Sequence, residues 1–347
     1  VNDPISNRSC DRRRISRPLL ASIVPAALAG FALLGLLASP APLHSQDQRG
    51  EEVVANLSEG RVIFCVAKDG MVVASVEGNG EKGSRPPAIV PIGGGRIGVL
   101  LGATEWITGG KPLRLDGELA TVAANAVPKG DVPGAEKDQP SAIEDIGIAV
   151  LEVLRPQVTQ IHRKLDLGPD EPLVELLLAD YVANYGPEVW SLQYRIRQEA
   201  LGNDYWETRP LRPAYNQLYP PEKGQPRTFM EARYPANASQ PTLIARLQAH
   251  DPDLDPITHA SPEMTAAMAA LMNGDSRKAL LDPISDFLRS ALPILAGSNK
   301  ARISLAKLDP DHGFQWILAP AEPPPTPSQT KPQEPGAPSL RGYSQRN

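Results

Sequence analysis

The stretch from Gly60 to Ala103 sets the tightest limit on what this chain can become. It opens with Val62-Ile63-Phe64-Cys65-Val66-Ala67, turns at Lys68-Asp69-Gly70, and returns through Met71-Val72-Val73-Ala74-Ser75-Val76. After a polar loop come Ala88-Ile89-Val90-Pro91-Ile92, a Gly93-Gly94-Gly95-Arg96 turn, and Ile97-Gly98-Val99-Leu100-Leu101-Gly102-Ala103. Short β-branched runs separated by turn residues are the pattern of a strand meander. The Asp69-Gly70 pair suits a two-residue turn, whose positive φ angles match the twist of a hairpin. The runs are nearly continuous in apolar residues, where a half-exposed strand would alternate. A sheet covered on both faces is therefore expected.

The strand block spans 60–107, and residues 108–140, rich in Gly, Pro, Asp and Lys, read as a long connection. Ser141 followed by Glu144 has capping-box spacing, and Ile146, Val150, Leu154 and Val158 recur as on a helix. Pro156 should kink or divide that run. Pro172–Tyr185 reads as a strand or short helix and Val189–Arg197 as a strand. Tyr205–Leu211 is expected to pair back across a Gly202-Asn203-Asp204 turn. Thr242–His250 looks helical, as does Pro262–Ala296, with breaks near Asn273-Gly274 and Pro283. Ile303–Leu308 and Phe314–Leu318 form a terminal hairpin. From Pro320 onward Pro, Gln, Ser and Gly predict a disordered tail.

The 347 residues carry a formal net charge of -5, with an isoelectric point near 5.7. That balance excludes nucleic acid as the main partner, which would need a basic face. At the N-terminus Arg12, Arg13, Arg14 and Arg17 precede an uncharged Ala/Leu-rich run from Pro18 to Pro40, followed by small residues. This is the layout of a cleaved signal peptide over residues 1–46, with an uncleaved membrane anchor as the alternative. The expected compartment is periplasmic or extracellular. Cys10 lies in that segment, so Cys65 is alone in the rest of the chain and no internal disulfide is expected there.

The order of strands, helix pair, strands, helix pair, strands, with a Lys68-Asp69-Gly70 hairpin first, resembles the proteasome-type branch of the N-terminal-nucleophile hydrolases. The likeness is most specific over Val62–Ala74 and Ile97–Ala103. It implies an α+β four-layer αββα sandwich over residues 47–319, with a connection at 108–140 and an insertion at 200–241. It also implies an N-terminal Thr, Ser or Cys nucleophile whose own amine is the base. Counting back from the hairpin, that place falls on Gly60, the acidic position on Val76, and the lysine position within Ala88–Ile92, where no lysine stands. Ser58 is the nearest hydroxyl and the one weak catalytic candidate. The resemblance thus implies a chain without the family's machinery.

Other motifs point to little chemistry. Gly93-x-Gly95-x-x-Gly98 matches a dinucleotide fingerprint, but a β-rich run follows where a helix is required. Asp251, Asp253 and Asp255 alternate as in a calcium loop, yet Pro256 replaces the turn glycine. No cofactor and no metal are expected. The strongest binding signal is residues 205–234, where Trp206, Tyr215, Tyr219 and Tyr234 interleave with Arg209, Arg212 and Arg227. Aromatic and arginine side chains concentrate interface energy. The competing reading is that the aromatics cover a core edge. The expectations for function are a non-catalytic binding or scaffolding module with an unknown protein partner, an exported amide or ester hydrolase using a processed Ser58, or a structural envelope protein.

Overall fold

The computed structural model describes residues 54–78, 85–93, 95–108, 111–126, 142–168, 170–182, 186–202, 204–221, 228–234, 240–297 and 301–320, all within one compact unit, Arg49–Asn347. The signal-like segment and the Pro-rich tail lie outside them.

The chain begins with β1 (Val54–Ser58), the hairpin β2 (Gly60–Ala67) and β3 (Gly70–Glu77), then β4 (Ile89–Ile92), β5 (Arg96–Thr108) and β6 (Lys111–Arg114). Helices α1 (Leu115–Ala126) and α2 (Ala142–Val158) follow. Next come β7 (Val174–Val182), β8 (Gly186–Tyr194), β9 (Ile196–Gly202), β10 (Tyr205–Pro210), β11 (Ala214–Tyr219) and β12 (Phe229–Tyr234). Four helices, α3 (Leu243–Gln248), α4 (Asp255–Thr258), α5 (Pro262–Met272) and α6 (Leu281–Ala296), precede β13 (Ile303–Asp309) and β14 (Gly313–Leu318).

The expectation of a four-layer αββα sandwich is corrected by this arrangement. Strand accounts for 44% of the described residues and helix for 29%, and the strands form three antiparallel sheets. One sheet runs β12-β2-β3-β13-β14, one runs β1-β5-β7-β8-β11 with β4 and β6 also on β5, and β9 with β10 forms a third. The physical reason lies in residues 200–241, read from sequence as an insertion. Instead β10 closes the separate ribbon, β11 extends one large sheet along β8, and β12 extends the other along β2. Within the expected connection at 108–140, the described residues 111–126 form β6 and α1, because Leu115, Leu119 and Ala123 place buried side chains one turn apart, and 127–140 lie outside the described residues.

The first hairpin is closed on both faces, as its continuous apolar pattern predicts. Ile63, Cys65, Val72, Ala74 and Val76 join a cluster with residues of α3, α5 and α6. Val62, Phe64, Val66, Met71 and Val73 face a cluster made by strand residues of both large sheets. A third cluster joins α1 and α2 to β5, β7 and β8. Asp69 in the turn also accepts the Leu281 amide at 3.1 Å, tying the hairpin to the start of α6. Pro283, expected to break the helix, sits in the first turn of α6, where a proline costs no internal hydrogen bond.

Candidate functional site

The positions where chemistry was sought are filled by structure. Gly60 has a φ of +146°, and a Cβ there would collide with the Val76 carbonyl oxygen. A hydroxyl- or thiol-bearing residue has no room at this point of the hairpin. Val76 is buried in the apolar cluster. Ser58 is 3% exposed, ends a strand paired with β5, and donates its hydroxyl to the Pro86 carbonyl at 3.3 Å. Burial pushes the Cys65 thiol far above its ordinary range, which leaves it uncharged and unreactive. Gly93 and Gly95 lie in the turn between antiparallel β4 and β5, and a Cβ at Gly98 would stand 2.6 Å from Leu119, so that glycine serves helix packing.

The acidic motifs are turns. Asp251 accepts the Asp253 amide at 2.9 Å and pairs with Arg246 at 2.6 Å. Asp309 accepts the amides of Asp311 and His312 at 3.0 and 2.6 Å. Among the described residues no group of three or more His, Cys, Asp or Glu is arranged to hold a metal ion. A groove of about 310 Å³ is lined by Leu247, Leu254, Met268, His250, Asp255 and His259. There Asp255 stands 3.6 Å from His259 and 3.9 Å from His250, beyond good hydrogen-bond length.

The residues of 205–234 divide between two roles. Tyr215 on β11 rests against α2, donates its hydroxyl to the Glu144 carbonyl at 3.3 Å, and would meet a Cβ at Gly147 within 2.5 Å. Tyr219 packs against the cluster between the large sheets and shares a hydrogen bond with Ser276 at 3.3 Å. Tyr234 on β12 is buried in that same cluster, and burial raises its phenol to about 12. Arg212 is exposed between β10 and β11, and Arg227 lies outside the described residues. Trp206 and Arg209, on β10, belong to the β9–β10 ribbon. The set is therefore not one surface: its later aromatics complete cores, and its β10 members reach solvent.

The ribbon has an anchored root. Its inner face is held by the chain that follows α2: Thr208 donates to the Ile161 carbonyl at 2.6 Å, and the Gln198 amide donates to the Arg163 carbonyl and to Thr208, both at 2.9 Å. Trp206 donates its backbone N–H to the His162 carbonyl at 2.8 Å, and Lys164 sits 5.7 Å over its ring. His162 stacks on Tyr205 with centroids 4.6 Å apart. The outer face is wet. Arg197 pairs with Glu199 at 3.0 Å and Arg209 with Glu207 at 2.8 Å, along each strand rather than across. The bond to Glu207 raises the Arg209 pKa further, so its charge is permanent at any ordinary pH. Leu201, Tyr205 and Leu211 are 61, 47 and 42% exposed, three of the five large apolar side chains so exposed among the described residues. Exposed apolar groups gathered on and beside one element mark an interaction surface better than the same groups scattered singly.

Sequence reasoning reached Trp206 and Arg209 but missed Leu201, Arg197, Glu199 and His162. The signal was present as charges two apart on each side of the 202–204 turn. A scan against protein-family models finds no match, and a search of curated proteins finds no relative.

Proposed function

We propose that this chain is an exported, non-catalytic binding or scaffolding module that meets its partner through the β9–β10 ribbon. The observation that carries the reading is a ribbon rooted by side-chain hydrogen bonds on one face and exposing Leu201 and Tyr205, with Leu211 just past its end, beside two arginines. An anchored element costs little ordering entropy on binding, and aromatic and arginine side chains supply most interface energy. The non-catalytic part is supported by Gly60, whose backbone excludes a side chain, and by Ser58, whose hydroxyl is buried on a carbonyl. Export is supported by the Arg12–Pro40 pattern. Among the described residues no helix is long and apolar enough to cross a membrane.

The test is a photo-reactive amino acid placed at position 201 in the full chain, with position 286 on the exposed face of α6 as the control. Cross-links at 201 and none at 286 are expected. Equal labelling at both, or none at 201, contradicts the reading. So does turnover of an ester or amide panel that Ser58→Ala abolishes, which would favour a hydrolase.

A further inference from the structure

The outward face of the ribbon carries its own complement. Arg197 stands opposite Arg209 across the two strands, and Glu199 opposite Glu207. Alternate residues of a strand share a face, so all four side chains point the same way. Like charges directly opposite weaken a strand pair. The ribbon keeps them nonetheless, offset by the pairs along each strand. The result is one basic row and one acidic row, about 7 Å apart along the strands. Between them the Gln198–Thr208 row turns inward to the root. Along the chain exposed Leu211 follows the basic row, one residue past β10, and exposed Leu201 follows the acidic row, at the register shift between β9 and β10. Along the ribbon the order is apolar, basic, acidic, apolar. A half turn about an axis between the charged rows reverses that order. Each basic row then meets an acidic row, and each Leu201 end meets a Leu211 end.

We infer that this face binds a second copy of the chain, antiparallel, in a two-fold contact. The inference rests on the binding-module reading and names its partner. A two-fold contact needs one surface complementary to itself, and the row order supplies that. A partner of a single charge sign would be attracted by one row and repelled by the other. The ribbon face is smaller than the roughly 800 Å² per partner of a standard interface, so the dimer is weak. Its charges are exposed, so added salt weakens it further.

Sedimentation velocity of the full chain over a concentration series at low salt tests this. The expected result is a reversible monomer–dimer equilibrium that salt suppresses. The double variants R197E/R209E and E199R/E207R each raise the dimer Kd by about tenfold or more, and an equimolar mixture of the two restores a heterodimer. If a double reversal disturbs folding, Leu201→Asp carries the same test by losing the dimer at wild-type stability. A wild-type chain that is monomeric up to about 1 mM overturns the inference. So do folded charge variants that dimerise like wild type, or whose mixture fails to associate. A monomeric chain that still cross-links to a different protein at position 201 sinks the second-copy inference alone. A chain that does neither sinks the binding reading as well.

Discussion

The β2–β3 hairpin and the β9–β10 ribbon are both two antiparallel strands joined by a short Asp-containing turn, and they are used in opposite ways. The hairpin is covered on both faces, with alternate residues entering different apolar clusters. The ribbon is covered on one face only, through Thr208, Gln198 and Trp206. An isolated two-stranded ribbon is marginal in water, so that root is what holds it in place. The difference teaches where stability and contact reside. Burial on two faces leaves the hairpin no surface for a partner, and burial on one leaves the ribbon a surface with little weight in the core.

Substitutions separate the two roles, beginning in the hairpin. Gly60→Ala forces a Cβ onto the Val76 carbonyl at a φ of +146°, and should cost about 4 kcal/mol or more, read by urea unfolding. Phe64→Ala, which empties a fully buried site between the large sheets, should cost about 3–5 kcal/mol in the same assay. A loss below about 1 kcal/mol for either would break the account of a hairpin closed on both faces.

At the hairpin's end Glu77 gives a pH-dependent effect. Its hydrogen bond to Arg302 holds the carboxyl below the ordinary 4.5, against a smaller opposing push from burial. A depressed carboxyl stabilises the fold above its unfolded pKa and loses that contribution as pH falls through the folded value. Wild type should therefore exceed Glu77→Gln by about 0.5–1 kcal/mol at neutral pH, and the gap should close below pH 4.5. A gap that widens in acid would contradict the assignment. Smallest of all, Leu201→Ser on the ribbon should change stability by no more than about 0.5 kcal/mol, checked by thermal unfolding.

Much of this division is legible in the chain, and its limits are physical. Val62–Val76 could be read because continuous apolar runs and Asp69-Gly70 are local signals. Helix α1 was obscured by Gly117 and by the Pro- and Lys-rich residues around it, although Leu115, Leu119 and Ala123 keep helical spacing. The fate of Tyr215 and Tyr234 was not legible. They belong to strands that join different sheets, one beside β8 and one beside β2, and such pairing is set by distant partners such as Gly60 for Tyr234. The charges at 197, 199, 207 and 209 were visible too. That they face solvent depends on Thr208 and Gln198 finding residues 161–165, which no local pattern states.

Amide hydrogen exchange on the dilute full chain tests the contrast between hairpin and ribbon most directly. The β2–β3 amides should exchange only through global unfolding, while those bonded between β9 and β10 exchange orders of magnitude faster through local opening and slow when the chain is concentrated. Ribbon amides as protected as the hairpin in dilute solution, with no change on concentration, would contradict the claim that one element is the core and the other the contact surface.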